Sequence, residues 1–167
     1  SYIGETNSDF LGLEVMGAGD VNGDGLNDIA MSATGNGGTG KVYLIFGKTS
    51  GWAKRVSVVG ADASFRGETV DDLYGSALGA GDVNNDGYSD LLTAANKDAA
   101  ADTDAGQAYV VLGKAGGWTT STNIATVATS SFWGEAASDF VGIGLSGRGF
   151  GNHYGASNVA RDGRFYL

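Results

Sequence analysis

Six aspartates and two asparagines in this chain stand at a spacing that could hold metal ions. The stretch GAGDVNGDGLNDI at residues 17–29 returns as GAGDVNNDGYSDL at residues 79–91. Each copy contains D-x-N-x-D-G-x-x-D, with oxygen-bearing side chains at loop positions 1, 3, 5 and 9 and a glycine at position 6. Calcium takes roughly six to eight hard oxygen ligands at about 2.3–2.6 Å, and a short loop can wrap them only if it turns sharply in the middle. Glycine supplies such a turn because positive φ costs it little. The first loop thus offers the side chains of Asp20, Asn22 and Asp24, the carbonyl of Leu26, and Asp28 as the bidentate carboxylate. The second offers Asp82, Asn84 and Asp86, the carbonyl of Tyr88, and Asp90.

A hairpin turn is the commonest use of Asp-Gly and Asn-Gly. Three carboxylates in each loop argue for more than a turn, because like charges so close repel one another unless a cation or protons intervene. Two structural Ca²⁺ sites are therefore expected. Magnesium suits the loops less well, since it demands near-octahedral geometry and keeps its waters. An EF-hand is excluded by Met31 and Thr93, which stand where its loop requires a glutamate at position 12.

Catalytic material is sparse. The chain has one histidine, His153, and no cysteine, so a Ser-His-Asp arrangement would have to recruit a residue that reads as an exposed turn. Glu5, Glu68 and Glu135 recur beside a glycine in successive segments, and a repeated hydrogen bond to a backbone turn explains them better than acid chemistry needed once. An enzyme is not expected. Trp52 and Trp118 occupy equivalent places and Trp133 aligns with Ile3 and Arg66, so packing or rim positions suit them better than a glycan platform.

These residues need a scaffold, and composition limits its kind. The 167 residues include 30 glycines, no prolines and 42% hydrophobic residues, which describes a turn-rich globular chain. A net charge of −9 repels nucleic-acid phosphates, and no apolar run approaches the roughly 18 residues of a spanning helix. Neither nucleic-acid binding nor membrane insertion is expected. The chain opens on Ser1 with no leader-like segment, as expected of a processed chain or an excised piece.

The scaffold is repetitive. SYIGETNSDFLG at residues 1–12 returns as SFRGETVDDLYG at 64–75 and as SFWGEAASDFVG at 131–142. GKVYLIFGKTSGW at 40–52 matches GQAYVVLGKAGGW at 106–118, and GRFYL closes the chain at 163–167. At an offset of 130, residues 140–160 fall on residues 10–30 without a gap; the glycines persist, while Asp20, Asp24 and Asp28 become Phe150, Tyr154 and Asn158. The β-branched and aromatic runs VYLIFG, AYVVLG, DIAMSA and DLLTAA read as strands, residues 56–59 as a further short apolar run, and residues 96–106 as a solvent-facing loop. Three units follow: residues 1–63 and 64–130, each with a calcium loop, and a degenerate, truncated unit at 131–167 without calcium ligands.

The pairs Leu11-Gly12, Tyr74-Gly75 and Val141-Gly142, the two DVN-x-DG-x-x-D loops and the YLIFG and YVVLG strands together resemble the FG-GAP repeats of integrin α chains and of bacterial surface and secreted proteins. The Gly-Ala-Pro element itself is replaced by residues 32–34 and 94–96. The resemblance implies an all-β fold of four-stranded antiparallel β-propeller blades, about three repeats with the third incomplete, and places each calcium loop in a hairpin between the first two strands of a blade. It implies a calcium-binding module for cell-surface or extracellular adhesion or protein interaction. An accessory propeller segment of a secreted hydrolase or polysaccharide-active enzyme, and a purely structural fragment, stand as alternatives.

Three blades cannot close a ring that needs about 4–8. Either the chain is part of a larger propeller or copies associate, and self-association, with two copies forming a six-bladed ring, is the favoured expectation. A protein or glycan ligand is compatible with either.

Overall fold

The computed structural model describes residues 1–99 and 102–142. Along the chain run β1 (Tyr2–Ile3), β2 (Leu11–Gly19), β3 (Asp28–Ala33), β4 (Lys41–Ile45), β5 (Val56–Ser57), β6 (Ala63–Arg66), β7 (Tyr74–Gly81), β8 (Asp90–Ala95), β9 (Gln107–Val111), β10 (Thr122–Asn123), α1 (Ile124–Val127) and β11 (Ser130–Trp133). The all-β expectation holds. Strands β2, β3, β4 and β6 form one antiparallel meander, and β7, β8, β9 and β11 form a second with the same order. The short strand β10 lies parallel on the outer edge of β6, and β1 lies parallel on β5 in the corresponding place.

The middle strands are buried on both faces, which is why KVYLI and QAYVV read as continuous apolar runs and not as an alternation. Val42 and Leu44 point between the sheets, where they join Met16, Phe65, Tyr74, Leu78, Tyr109 and Val111 in the main core. Tyr43 and Ile45 point to the opposite side of the first sheet, into a smaller cluster capped by the half-buried Tyr2 and Leu11. A third cluster, Ala77, Ala94 and Ala108, packs against Val141 of the third sequence unit. The sheets are thus layers in a stack, each carrying apolar side chains on both sides.

Sequence units and sheets are out of phase. Phe65 and Ser64, which open the second unit, pair with Val42 and Tyr43 of the first sheet. Ser131 and Phe132, which open the third, pair with Tyr109 and Ala108 of the second. Each sheet therefore takes its outer strand from the next repeat, and this exchange couples neighbouring units through backbone hydrogen bonds as well as apolar contact. The run at 56–59 is only in part a strand, because a 3₁₀ turn over Val58–Gly60 follows β5 directly. The stripped third loop, with Phe150, His153, Tyr154 and Asn158, lies outside the described residues.

Candidate functional site

The acidic loops occupy equivalent hairpins, the first between β2 and β3 and the second between β7 and β8. Gly25 and Gly87, at loop position 6, have φ of +84° and +92°, in open space, so conformation and not crowding calls for glycine there. Where the first loop has Gly23, the second has Asn85 at φ +61°, a left-handed conformation that asparagine tolerates. The hairpins lie side by side: the Ser89 amide donates to the Asp20 carbonyl at 2.9 Å.

Each loop is held by its own carboxylates. Asp20 accepts from the amides of Gly23 at 2.7 Å, Asp24 at 3.0 Å and Gly25 at 2.8 Å. The Asn22 Oδ1 accepts from the Asp24 amide at 2.9 Å, and its Nδ2 donates to Asp24 Oδ2 at 2.9 Å. Asp24 Oδ1 in turn accepts from the Leu26 amide at 2.9 Å. In the second loop Asp82 accepts from the amides of Asp86 at 3.1 Å and Gly87 at 2.9 Å. Asn84 donates to Asp86 Oδ2 at 2.8 Å, and the Tyr88 amide donates to Asp86 Oδ1 at 2.9 Å.

The aspartates at loop position 9 have a part the sequence did not announce. Asp28 is 1% exposed; it accepts from the Val21 amide at 2.9 Å and the Gly47 amide at 2.8 Å. Asp90, also 1% exposed, accepts from Val83 at 2.8 Å and Gly113 at 2.7 Å. Each thereby ties the start of its loop to the chain leaving the third strand of its sheet. Burial pushes the Asp28 carboxyl above the usual range; the two amide bonds oppose this, and the charges of Asp24 and Asp20 add to it. Among the described residues, no lysine or arginine forms an ion pair with these aspartates.

Among the described residues no three acidic, histidine or cysteine side chains are gathered closely enough to hold a metal between them. The oxygens instead face backbone amides. In kind they still suit a hard cation: the donors are all carboxylate, amide or carbonyl oxygens, and a carboxylate oxygen that accepts one N–H keeps a further lone pair.

The recurring glutamates behave differently from the expected bond to a backbone turn. Glu5 Oε1 accepts from Lys41 Nζ at 2.9 Å, and its Oε2 accepts from Asn36 Nδ2 at 3.3 Å, beside the buried Tyr43. Glu68 Oε1 accepts from the Tyr109 hydroxyl at 3.0 Å. The backbone turn is bound by the aspartate four residues further on. Asp9 accepts from the Thr6 amide at 2.8 Å, Asp72 from Thr69 at 3.0 Å and Asp139 from Ala136 at 2.9 Å. The signal was present, since G-E-x-x-x-D recurs in all three units. Of the tryptophans, Trp118 packs edge-on against Phe46 and Phe65 as a packing residue, whereas Trp133 is 53% exposed.

Comparison with known proteins agrees with this architecture. Residues 14–45 and 74–111 match the FG-GAP repeat family. The chain is also similar to integrin alpha-IIb of Mus musculus, 37% identical over 87 residues that make up 51% of this chain and 8% of that protein. The first matched segment carries β2 to β4 and the second β7 to β9, the inner three strands of each sheet. The two sheets are propeller-like blades built on two FG-GAP repeats, at residues 14–45 and 74–111.

Proposed function

We propose that this chain is a calcium-stabilised, non-catalytic β-propeller module that mediates adhesion or protein interaction outside the cell. The observation that carries the proposal is the pair of acidic hairpins, identical in placement, each built around a buried position-9 aspartate. Asp20, Asn22, Asp24, Leu26 and Asp28 would hold one Ca²⁺, and Asp82, Asn84, Asp86, Tyr88 and Asp90 the other. Calcium at these places neutralises the loops' charge and fastens each hairpin, so its part is structural. Sites in extracellular modules are typically weak, with dissociation constants of roughly 10⁻⁴–10⁻³ M, which suits calcium levels outside the cell. The similarity to an integrin α chain supports the interaction role.

A ring needs further blades, from other copies of this chain or from the rest of a longer one. The outer face of the first sheet supports this: Phe10, Leu13 and Val15 are exposed there, and among the described residues β1 pairs only with β5. At free calcium about 100 times the dissociation constant, each site contributes about 2.7 kcal/mol. Melting followed by circular dichroism is expected to fall on chelation, and the double variant Asp24→Ala/Asp86→Ala to lose that response. An unchanged calcium response in the variant would overturn the metal assignment. Sedimentation with calcium present tests association, and a monomer at all concentrations would rule out a ring made from copies of this chain.

A further inference from the structure

The two acidic hairpins are joined to each other through backbone. Asp20 and Val21 open the first loop, and their carbonyls accept from the amides of Ser89 and Lys114, each at 2.9 Å. Ser89 lies between Tyr88 and Asp90 of the second loop, and Lys114 follows Gly113, whose amide Asp90 holds at 2.7 Å. In the first loop Asp28 holds the Val21 amide at 2.9 Å. A continuous path of backbone and hydrogen bonds therefore runs from Asp28 through Val21, Lys114 and Gly113 to Asp90, and the aspartates at its two ends are each 1% exposed.

Side chains fit the same seam. A Cβ on Gly23 would lie 2.3 Å from Tyr88 Cε1, and one on Gly19 would lie 2.1 Å from Ser89 Oγ. The first loop is thus bare where the second presses on it. At the place of Gly23 the second loop carries Asn85, and at the place of Tyr88 the first carries Leu26. Of the two loops, only the second has the ring and only the first has the gap that receives it.

We propose that the two loops bind calcium cooperatively, the filling of either raising the affinity of the other. This coupling rests on the calcium assignment proposed above. Asp20 offers its side chain to the first ion and its carbonyl to Ser89, which is flanked by two residues that serve the second. A loop fixed by its cation therefore fixes the backbone against which the other loop is held, and the ordering cost met at the first binding is not met again at the second. The charge of the first ion acts in the opposite sense, by weakening the negative field that draws the second. Salt screens that field beyond about 8 Å at physiological ionic strength but leaves short hydrogen bonds in place, so the coupling is positive.

The probe is calcium chloride, titrated into ¹⁵N-labelled protein at about 0.15 M salt. The reporters are the amide signals of Gly25 and Gly87, which bond Asp20 and Asp82 in their respective loops. The two signals are expected to move together, with a Hill coefficient above unity. Asp86→Ala disables the second site and should raise the calcium midpoint at Gly25 at least about fivefold, the lower end of ordinary coupling. In the same variant calcium should still slow hydrogen exchange at the Ser89 and Lys114 amides, which belong to the second unit. Tyr88→Leu keeps every ligand oxygen and every charge, copies Leu26, and should bring the Hill coefficient toward unity. Two saturable but independent transitions, or unchanged exchange at Ser89 and Lys114, would overturn the coupling and leave the calcium sites standing. No calcium response at either reporter would overturn both.

Discussion

In the first sheet Lys41 reaches across to Glu5 beside Tyr43; in the second, Gln107 stands in that place, and the Tyr109 hydroxyl lies 3.0 Å from both Gln107 Oε1 and Glu68 Oε1. The consequence is a difference in sign. Burial opposes the charged forms of Glu5 and Asp9, but hydrogen bonds outweigh it and hold both carboxyls below their usual range: Lys41, Asn36 and Tyr43 for Glu5, and the Thr6 hydroxyl and amide with Asn36 for Asp9. Asp72, the counterpart of Asp9, is pushed up to about 6 by burial and by the charge of Asp98, against the bonds from Thr69. One backbone position can thus store an acid as an ion or as a group ready to take a proton, and burial together with the change from Asn36 to Asp98 beside it decides which.

Breaking the first cage should have the largest effect. Lys41→Met leaves Glu5 without its cation and is expected to cost about 3 kcal/mol in urea unfolding, the range for removing one partner of a largely buried pair. Glu5→Gln in that background should restore part of the loss.

The difference between the sheets is also steric. Gly12 and Gly75 have φ of +89° and +87°, so an added side chain strains both alike. At Gly75, however, a Cβ would lie 2.9 Å from that of Ser32 and 3.2 Å from Val42 Cγ2 across the blade interface, while at Gly12 its nearest contact is Val15 Cγ2 at 3.8 Å. Gly75→Ala should be less stable than Gly12→Ala by about 2 kcal/mol, the usual scale of overpacking. Should Gly12→Ala prove as costly, and only at concentrations where copies associate, a neighbouring blade must cover Gly12.

The pH response sharpens the contrast. Because the folded-state value of Asp72 exceeds that of an unfolded aspartate, about 3.9, the folded chain binds more protons between these values. Its stabilising contribution is full below about pH 4 and lost as pH rises through about 6, about 3 kcal/mol in all. Asp72→Asn should therefore gain relative to the parent between pH 4 and pH 7, measured by melting at fixed calcium. Glu5 and Asp9 act in the opposite sense: their contribution is present above the unfolded values and lost as pH falls through the lower folded ones. Glu5→Gln should accordingly show its greatest deficit near pH 7. The smallest effect is expected of Gln107→Lys, a gain of about 1 kcal/mol from a partly exposed new ion pair.

Much of this was legible because repeats expose their own pattern. The strands from VYLIFG, AYVVLG, DIAMSA and DLLTAA lie where β-branched runs placed them, and the turn glycines Gly25 and Gly87 adopt the positive φ that the loop spacing demands. The phase of the blades was not legible, since a sequence repeat has no intrinsic beginning and only pairing shows that Phe65 closes the sheet before it. The glutamates were misread for a related reason. Glu5 and Lys41 are 36 residues apart, and local spacing carries no trace of their contact.

Taken alone, the sequence determined the repeat, the all-β class, the hairpins and the oxygen donors clustered in them, because each follows from local patterning within about a dozen residues. Only the tertiary structure decided that Asp28 and Asp90 fasten their loops to Gly47 and Gly113, that Lys41 meets Glu5 in one sheet where Gln107 meets Tyr109 in the other, and that a cleft opens beside Trp133. These depend on which side chains meet across strands and between sheets, where partial burial turns a single substitution such as lysine to glutamine into a change of charge that water screens less than at the surface.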